Sequence, residues 1–176
     1  MKLIVGLGNP GEKYKKTRHN AGYIMLEALS QMWDFSSFSE DSRFRAFLST
    51  GTLSQEKILL AKPTTFMNLS GESVYAIAHY YDIPHENIFL LHDDKDFALG
   101  EIRVATQSSS AGHNGVQNIF DHLKTNTIKR VRIGIGPKPE EIPTDAYVLS
   151  RFSPEEEKQI LELKDDVLEF LQKEFI

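Results

Sequence analysis

Four asparagines are the side chains of this sequence that best suit chemistry on an uncharged substrate. Each lies beside a glycine- or proline-containing turn at the boundary of a predicted element: Asn9, Asn20, Asn68 and Asn114. A carboxamide donates and accepts hydrogen bonds without carrying charge, so the set suits a neutral ester or peptide better than a phosphate or a metal. Turn formation and helix capping explain any one of these asparagines equally well.

A histidine paired with a carboxylate is the general base that the sequence can supply. His19, His92 and His113 lie in predicted loops or at strand ends. His19 could pair with a carboxylate such as Asp93, which would fix the imidazole tautomer and stabilise its cationic form. The sequence has no cysteine and no G-x-S-x-G elbow, so a covalent acyl-enzyme is not expected. Direct attack by a histidine-activated water is the predicted chemistry.

Two other interpretations concern the same stretches. The run from Asp93 to Asp96 could bind Mg²⁺, although carboxylates clustered at a strand end are often turn formers. Gly6-x-Gly8-x-x-Gly11 follows an apolar strand with the spacing of a dinucleotide-binding loop. In such loops the helix begins inside the glycine turn, whereas here Pro10 removes a donor and the helical pattern starts near Asn20. We therefore expect neither a metal nor another cofactor.

The composition is ordinary for a soluble globular protein. Of 176 residues, 40% are hydrophobic and 26% charged, and no apolar run resembles a membrane span or a signal peptide. We expect one domain over residues 1–176 and a cytoplasmic location. The net charge is −5, but residues 139–176 alone carry 11 acidic against 4 basic side chains. The rest of the chain, residues 1–138, is therefore weakly basic. Because local charge decides phosphate binding, the acidic total does not exclude a nucleic-acid partner.

Strands alternating with helices predict an α/β fold, a single-domain globule with a twisted mixed sheet flanked by helices. Asn20 is the expected N-cap of the first helix, and Ser70 that of a helix ending near Tyr81. Strands are expected around residues 3–5, 44–48, 58–61, 88–91, 101–106 and 131–135. Further helices are expected over residues 116–123 and from residue 154, and residues 34–42 are expected to form a polar loop.

Five motifs resemble those of bacterial peptidyl-tRNA hydrolases, in the same order from Met1 to about Phe152. They are Gly6-Leu-Gly-Asn-Pro-Gly11, Thr17-Arg-His-Asn-Ala-Gly22, Pro63-Thr-Thr-Phe-Met-Asn-Leu-Ser-Gly71, Gly112-His-Asn-Gly115 and Arg132-Ile-Gly-Ile-Gly136. The resemblance implies a single α/β globule and an enzyme that cleaves the ester joining a peptide to the terminal ribose of tRNA, recycling tRNA from stalled translation. We expect peptidyl-tRNA as the partner, no membrane, no obligate protein partner and a monomer.

The resemblance also implies a role for each matching residue. His19 would be the base and Asp93 the acid that orients it, while Asn9 would help to tell blocked from free aminoacyl groups. Asn68 and Asn114 would hydrogen-bond the peptide and the water. The pocket would be lined by Tyr14, Phe66, Met67 and His113. Arg132 would meet tRNA phosphate. An RNA-binding module with an idle hydrolytic site is the competing function, and the retained base, acid and amide argue against it.

The sequence departs from the family pattern at three places. A glycine-rich run before Gly112 is replaced by Ser108-Ser109-Ser110-Ala111, which predicts a stiffer loop. Ala105 stands where a lysine is usual, and the chain ends at Phe175-Ile176 where many members carry a basic segment. Both of these changes predict weaker tRNA binding.

Arg103 could replace the missing lysine. It lies two residues before Ala105, and side chains two apart on a strand share a face. The longer, forked guanidinium could reach a phosphate together with Arg132. The alternative is that Arg103 pairs with Glu101, its neighbour on the same face.

Overall fold

A mixed sheet of seven strands forms the centre of the part of the chain that the computed structural model describes, residues 1–174. The strands are β1 Lys2–Gly6, β2 Ser39–Asp41, β3 Ala46–Leu53, β4 Glu56–Pro63, β5 Ile88–Ala98, β6 Ile102–Ala105 and β7 Lys129–Gly136. Their order is β2-β3-β4-β1-β5-β7-β6. The four strands β4, β1, β5 and β7 pair in parallel, and all other pairings are antiparallel. The predicted α/β class with a mixed sheet is confirmed.

Helices cover both faces of the sheet. They are α1 Ala21–Met32, α2 Ser70–Tyr80, α3 Asn114–Leu123, α4 Thr144–Val148, α5 Pro154–Glu162 and α6 Lys164–Glu174. Side chains alternate between the faces of a strand, so Leu3 and Val5 of β1 pack with α2 and α3, while Ile4 packs with α1, α5 and α6. Within residues 1–174 no helix has the length and apolar character needed to cross a membrane.

The glycines at the end of β1 allow close packing against α1. A Cβ atom on Gly6 would lie 2.5 Å from the carbonyl oxygen of Gly22, and one on Gly8 would lie 2.7 Å from the Tyr23 ring. The helix begins at Ala21, well beyond Gly11, so its N-terminus does not meet the glycine turn. The dinucleotide interpretation therefore lacks the helix that it requires.

Several predicted boundaries were wrong. β5 continues beyond Leu91 to Ala98 because β7 offers backbone partners as far as Gly134 and again at Gly136, so Asp93 is a strand residue. The predicted loop over residues 34–42 contains β2, which pairs with β3. The helix expected from residue 116 begins at Asn114, and the terminal helix is divided at Leu163. The chain end at residues 175–176 lies outside the described residues.

The predicted cap at Ser70 was wrong, and that at Asn20 was right in position only, because each side chain has another partner. Ser70 is the first residue of α2, and its hydroxyl donates to the carbonyl of Met67 at 2.9 Å. Asn20 occupies the N-cap position of α1, but its amide bonds the backbone of Asn9 instead. Ser153 does cap α5, in a reciprocal capping box with Glu156.

Candidate active site

The predicted site residues gather where the parallel strands end. Asn9 follows β1, Met67 follows β4, and Asp93 lies in the extended part of β5. Ligands of open α/β sheets bind beyond the carboxyl ends of the strands, because loops from neighbouring strands meet there. The fold therefore brings together residues that are far apart in the sequence.

Asp93 is buried, and one of its carboxylate oxygens is hydrogen-bonded to two histidines. Oδ1 lies 2.8 Å from Nδ1 of His19 and 2.9 Å from Nε2 of His113. Burial alone would raise the pKa of Asp93, but the two imidazoles hold it well below its usual value. Both imidazole nitrogens must therefore donate to a carboxylate, which leaves Nε2 of His19 as the acceptor.

His19 has the environment of a base. Burial lowers its pKa, but the charge and hydrogen bond of Asp93 raise it more strongly, with a smaller contribution from Asp145, so the pKa lies above its usual value. Within residues 1–174, Nε2 of His19 makes no hydrogen bond. The ring can thus take a proton at Nε2 while the carboxylate stabilises the resulting cation.

His113 and His92 pack around the other side of Asp93. His113 caps α3, because its Nδ1 accepts a hydrogen bond from the backbone N–H of Val116 at 3.3 Å. His92 is fully buried, its Nδ1 bonds the carbonyl of Asp93 at 2.8 Å, and its ring meets that of His113 edge-on at 4.7 Å. Burial holds the pKa of His92 well below its usual value, so this ring is neutral. The family resemblance had implied only a lining role for His113.

Asn9 joins the end of β1 to the loop after β4. Its Oδ1 accepts from the backbone N–H of Met67 at 2.9 Å. Its own backbone N–H and C=O bond the amide of Asn20 at 2.9 and 3.0 Å. The Nδ2 atom of Asn9 makes no hydrogen bond in the described part of the chain. The Asn20 amide thus ties the residue after His19 to Asn9, and the Asn9 amide keeps a donor that no residue of the described chain engages.

A pocket opens beside His19, between the middle of β5, the loop before α3 and helix α4. Four of the predicted residues line it, namely His19, Asp93, His113 and Asn114, together with Asp94, Lys95, Ser110, Ala111, Gly112, Thr144, Asp145 and Val148. The residues contributed by α4 were missed, because only the folded chain brings this short helix to the strand ends.

The other predicted binding residues lie outside this lining. Met67 is buried against α3, where a Cβ atom on Gly115 would be 2.5 Å from its sulfur. Phe66 is 56% exposed, Asn68 is also exposed, and Tyr14 is half-buried. Asn9 is bonded to Asn20, the residue after His19, and Met67 packs against Gly115, the residue after Asn114, so these two are joined to neighbours of pocket residues.

The acidic run of β5 does not form a converging metal site. Asp94 pairs with Arg132 and Asp96 with Lys95, while Asp93 faces the two imidazoles. The ligand-type atoms of His19, Asp93 and His113 lie within 4.8 Å of one another. These atoms are occupied by mutual hydrogen bonds, so an ion there would have to displace the protons of both imidazole nitrogens.

The serine-rich loop before His113 is held by side-chain bonds. Buried Arg130 donates from Nη2 to the hydroxyl of Ser108 at 2.6 Å and to the carbonyl of Ser109 at 2.8 Å. The hydroxyl of Ser110 donates to Oε1 of Gln117 at 2.9 Å. These bonds join the loop to β7 and α3, and the stiffer loop stays a prediction.

Arg103 and Arg132 form one stack with Phe97, a residue that the sequence analysis missed. The two arginines are paired across β6 and β7, and their guanidinium carbons lie 4.0 and 4.5 Å from the ring centroid. Arg103 pairs with Glu101 at 2.7 Å, the contact that the alternative expected, and Arg132 pairs with Asp94 at 2.6 Å. The phosphate role of Arg103 stays a prediction. Because Asp94 also lines the pocket, the stack adjoins the site.

Comparisons with known proteins agree on one family. The family model described as peptidyl-tRNA hydrolase matches residues 3–175. A peptidyl-tRNA hydrolase of Gloeobacter violaceus is 42% identical over 172 residues, which are 98% of this chain and 86% of the relative. One of Geobacillus kaustophilus is 42% identical over 180 residues, covering 100% of this chain and 96% of the relative. The crystal structure of peptidyl-tRNA hydrolase from Acinetobacter baumannii matches with a TM-score of 0.91 at 33% identity, covering 99% of this chain and 88% of that chain.

Proposed function

The chain belongs to the peptidyl-tRNA hydrolase family, a family of hydrolases, and from that premise we propose that it cleaves peptidyl-tRNA with a water activated by His19. The bond broken joins a peptide, or an N-blocked amino acid, to the terminal ribose of tRNA. The observation that carries the proposal is the Asp93-bound imidazole of His19, which lines the pocket and whose Nε2 has no hydrogen-bond partner among residues 1–174.

In the proposed reaction, Nε2 of His19 takes a proton from water as the water oxygen attacks the ester carbonyl carbon. Asp93 stabilises the imidazolium formed in this step. The tetrahedral intermediate then collapses, and the ribose oxygen leaves with the proton that His19 returns. General-base help of this kind typically contributes about 10²–10⁴-fold to the rate.

The amides give the proposed selectivity. A blocked amino group carries a neighbouring carbonyl that can accept a hydrogen bond, whereas a free α-ammonium group only donates. The Nδ2 of Asn9, which has no partner in the part of the chain that the structure describes, can therefore distinguish the blocked from the free group. Asn68 and Asn114 would hydrogen-bond the peptide and the attacking water, and the peptide would lie against Tyr14, Phe66, Met67 and His113.

The stack of Arg103, Phe97 and Arg132 is the proposed contact for tRNA phosphate. Phe97 holds both guanidinium planes, and phosphate would compete with Glu101 for Arg103 and with Asp94 for Arg132. Planar, forked donors suit phosphate oxygens. We further propose a cytoplasmic monomer of one domain that recycles tRNA from stalled translation and needs no cofactor.

The deciding experiment compares N-acetyl-aminoacyl-tRNA with the unblocked aminoacyl-tRNA, using the parent and His19→Ala. We expect turnover of the blocked substrate alone, and a loss of about 10²–10⁴-fold in His19→Ala with tRNA affinity retained. His85→Ala is the matched control, because that histidine lies in a short 3-10 helix before β5 and does not line the pocket. An RNA-binding module with an idle site would bind both substrates and hydrolyse neither, and near-native turnover by His19→Ala would contradict the water-activation mechanism.

A further inference from the structure

Arg18, the residue before His19, is fixed by the chain segment that follows β7. Its Nη2 donates to both carboxylate oxygens of Glu156, at 2.7 and 2.8 Å. Its Nε donates to the hydroxyl of Ser150 at 3.1 Å and its Nη1 to the carbonyl of Ile135 at 3.3 Å. The Arg18 side chain is only 12% exposed. Charge-assisted hydrogen bonds that engage both carboxylate oxygens give geometric specificity as well as energy.

Aromatic stacking and backbone bonds strengthen the same attachment. The guanidinium carbon of Arg18 lies 5.0 Å from the ring centroid of Tyr147 and 5.1 Å from that of Phe152. The backbone N–H of Arg18 donates to the carbonyl of Ser150, and that of Phe152 to the carbonyl of Lys16, each at 2.9 Å. An antiparallel bridge also joins residues 17 and 151. Backbone and side chain thus join the segments 16–18 and 150–156.

His19 consequently lies between two anchored neighbours. On one side Arg18 is joined to Glu156, and on the other the amide of Asn20 is bonded to the backbone of Asn9. The imidazole itself is bonded to Asp93. Reacting groups must be held closely, since a misplacement of about 1 Å can cost about 10²-fold in rate.

We propose that Arg18 is a positioning residue for His19 and that Glu156, in the acidic C-terminal segment, is its anchor. The inference rests on the proposed role of His19 as the base. It gives the acidic segment a place in the reaction: the Glu156 carboxylate fixes the residue before the base, and neither Arg18 nor Glu156 lines the pocket. With this role, Arg18 is not available to bind tRNA phosphate.

Glu157 provides the internal comparison. Its carboxylate pairs with Lys16 at 2.9 Å, between the same two segments, but the Lys16 side chain is 57% exposed. An exposed pair of this kind contributes little. The two carboxylates are adjacent in α5, and only Glu156 contacts the residue before the base.

The test is Glu156→Gln beside Glu157→Gln, measured with N-acetyl-aminoacyl-tRNA. Glutamine keeps the shape of Glu156 and can still accept the capping bond from Ser153, so folding is preserved. We expect kcat to fall about tenfold with KM unchanged, a fraction of what a 1 Å misplacement costs. Glu157→Gln should retain the parent kcat.

Arg18→Lys is the second variant, because it keeps the positive charge and loses the forked guanidinium group. It should also lower kcat alone, and combining it with Glu156→Gln should add little further loss, because both changes break one contact. Thermal unfolding of each variant separates this effect from lost stability. If Glu156→Gln keeps the parent kcat while His19→Ala is inactive, the inference is wrong and the proposed function stands. If His19→Ala is active, the proposed function and the inference both fail.

Discussion

Asp93→Asn tests the His19–Asp93 pair most directly, because the side-chain shape is kept and the charge is lost. A hydrogen bond to a charged group contributes roughly 1.5–3 kcal/mol, against roughly 0.5–1.5 kcal/mol between neutral groups. The difference is about 1–1.5 kcal/mol. One pKa unit corresponds to about 1.36 kcal/mol, so the pKa of His19 should change by about one unit.

The sign of the effect follows from the structure. The Asp93 carboxylate raises the pKa of His19 against the opposing effect of burial, so removing the charge lowers that pKa. The acid limb of the kcat/KM profile should then move about one unit toward lower pH. The plateau should fall about 10–10²-fold, less than in His19→Ala, because a weaker and less well oriented base remains.

The assay is steady-state hydrolysis of N-acetyl-aminoacyl-tRNA between about pH 5 and pH 9, a range that brackets the ordinary pKa of histidine. Asp96→Asn is the matched control, because Asp96 belongs to the same strand and is bonded to Lys95 at 2.7 Å. Its profile should match that of the parent. An acid limb of Asp93→Asn that stayed in place or moved to higher pH would refute the pairing.

Metal dependence, tRNA contact and acid stability can each be tested separately. EDTA should leave turnover unchanged, because the Asp93 carboxylate is bonded to two imidazoles. If EDTA abolished the hydrolysis of a short ester lacking tRNA and a divalent ion restored it, this expectation would be contradicted. Arg103→Ala should weaken tRNA substrates, spare that short ester and reduce the salt slope by roughly one counterion. Equal loss on both substrates would indicate a folding defect, and no loss on either would leave Arg132 as the phosphate contact. His92 has a depressed pKa in the folded state, so its contribution to stability is present above about pH 6.5 and lost as pH falls below it. In His92→Asn, urea unfolding should therefore show a weaker decline below about pH 6.5 than in the parent, and identical slopes would show that His92 does not titrate on unfolding.

The sequence was informative where a pattern is local. Alternating apolar residues predicted the central strands, and the glycine-bounded motifs pointed to the loops at their ends. Asn20 and Ser70 have the right type for caps, but propensity does not reveal that Asn9 and Met67 offer them other partners. Local propensity alone could not predict either of these hydrogen bonds.

The unpredicted parts of the site depend on contacts between distant residues. Glu156 reaches Arg18 only because the segment after β7 returns to the loop after β1. Arg130 is one of several cations in the sequence, and nothing local indicates that it is buried against Ser108. The shared use of Asp93 by two histidines likewise arises from the fold, since α3 brings His113 to the strand that carries the carboxylate.

The shared Asp93 oxygen has a consequence for what holds the base in place. His113 donates to that oxygen and also caps α3, so α3, the carboxylate and His19 are joined by one chain of hydrogen bonds. A displacement of α3 would therefore reach the imidazole of His19 through the carboxylate. A substitution at His113 should lower kcat by this route even though His113 is not the proposed base.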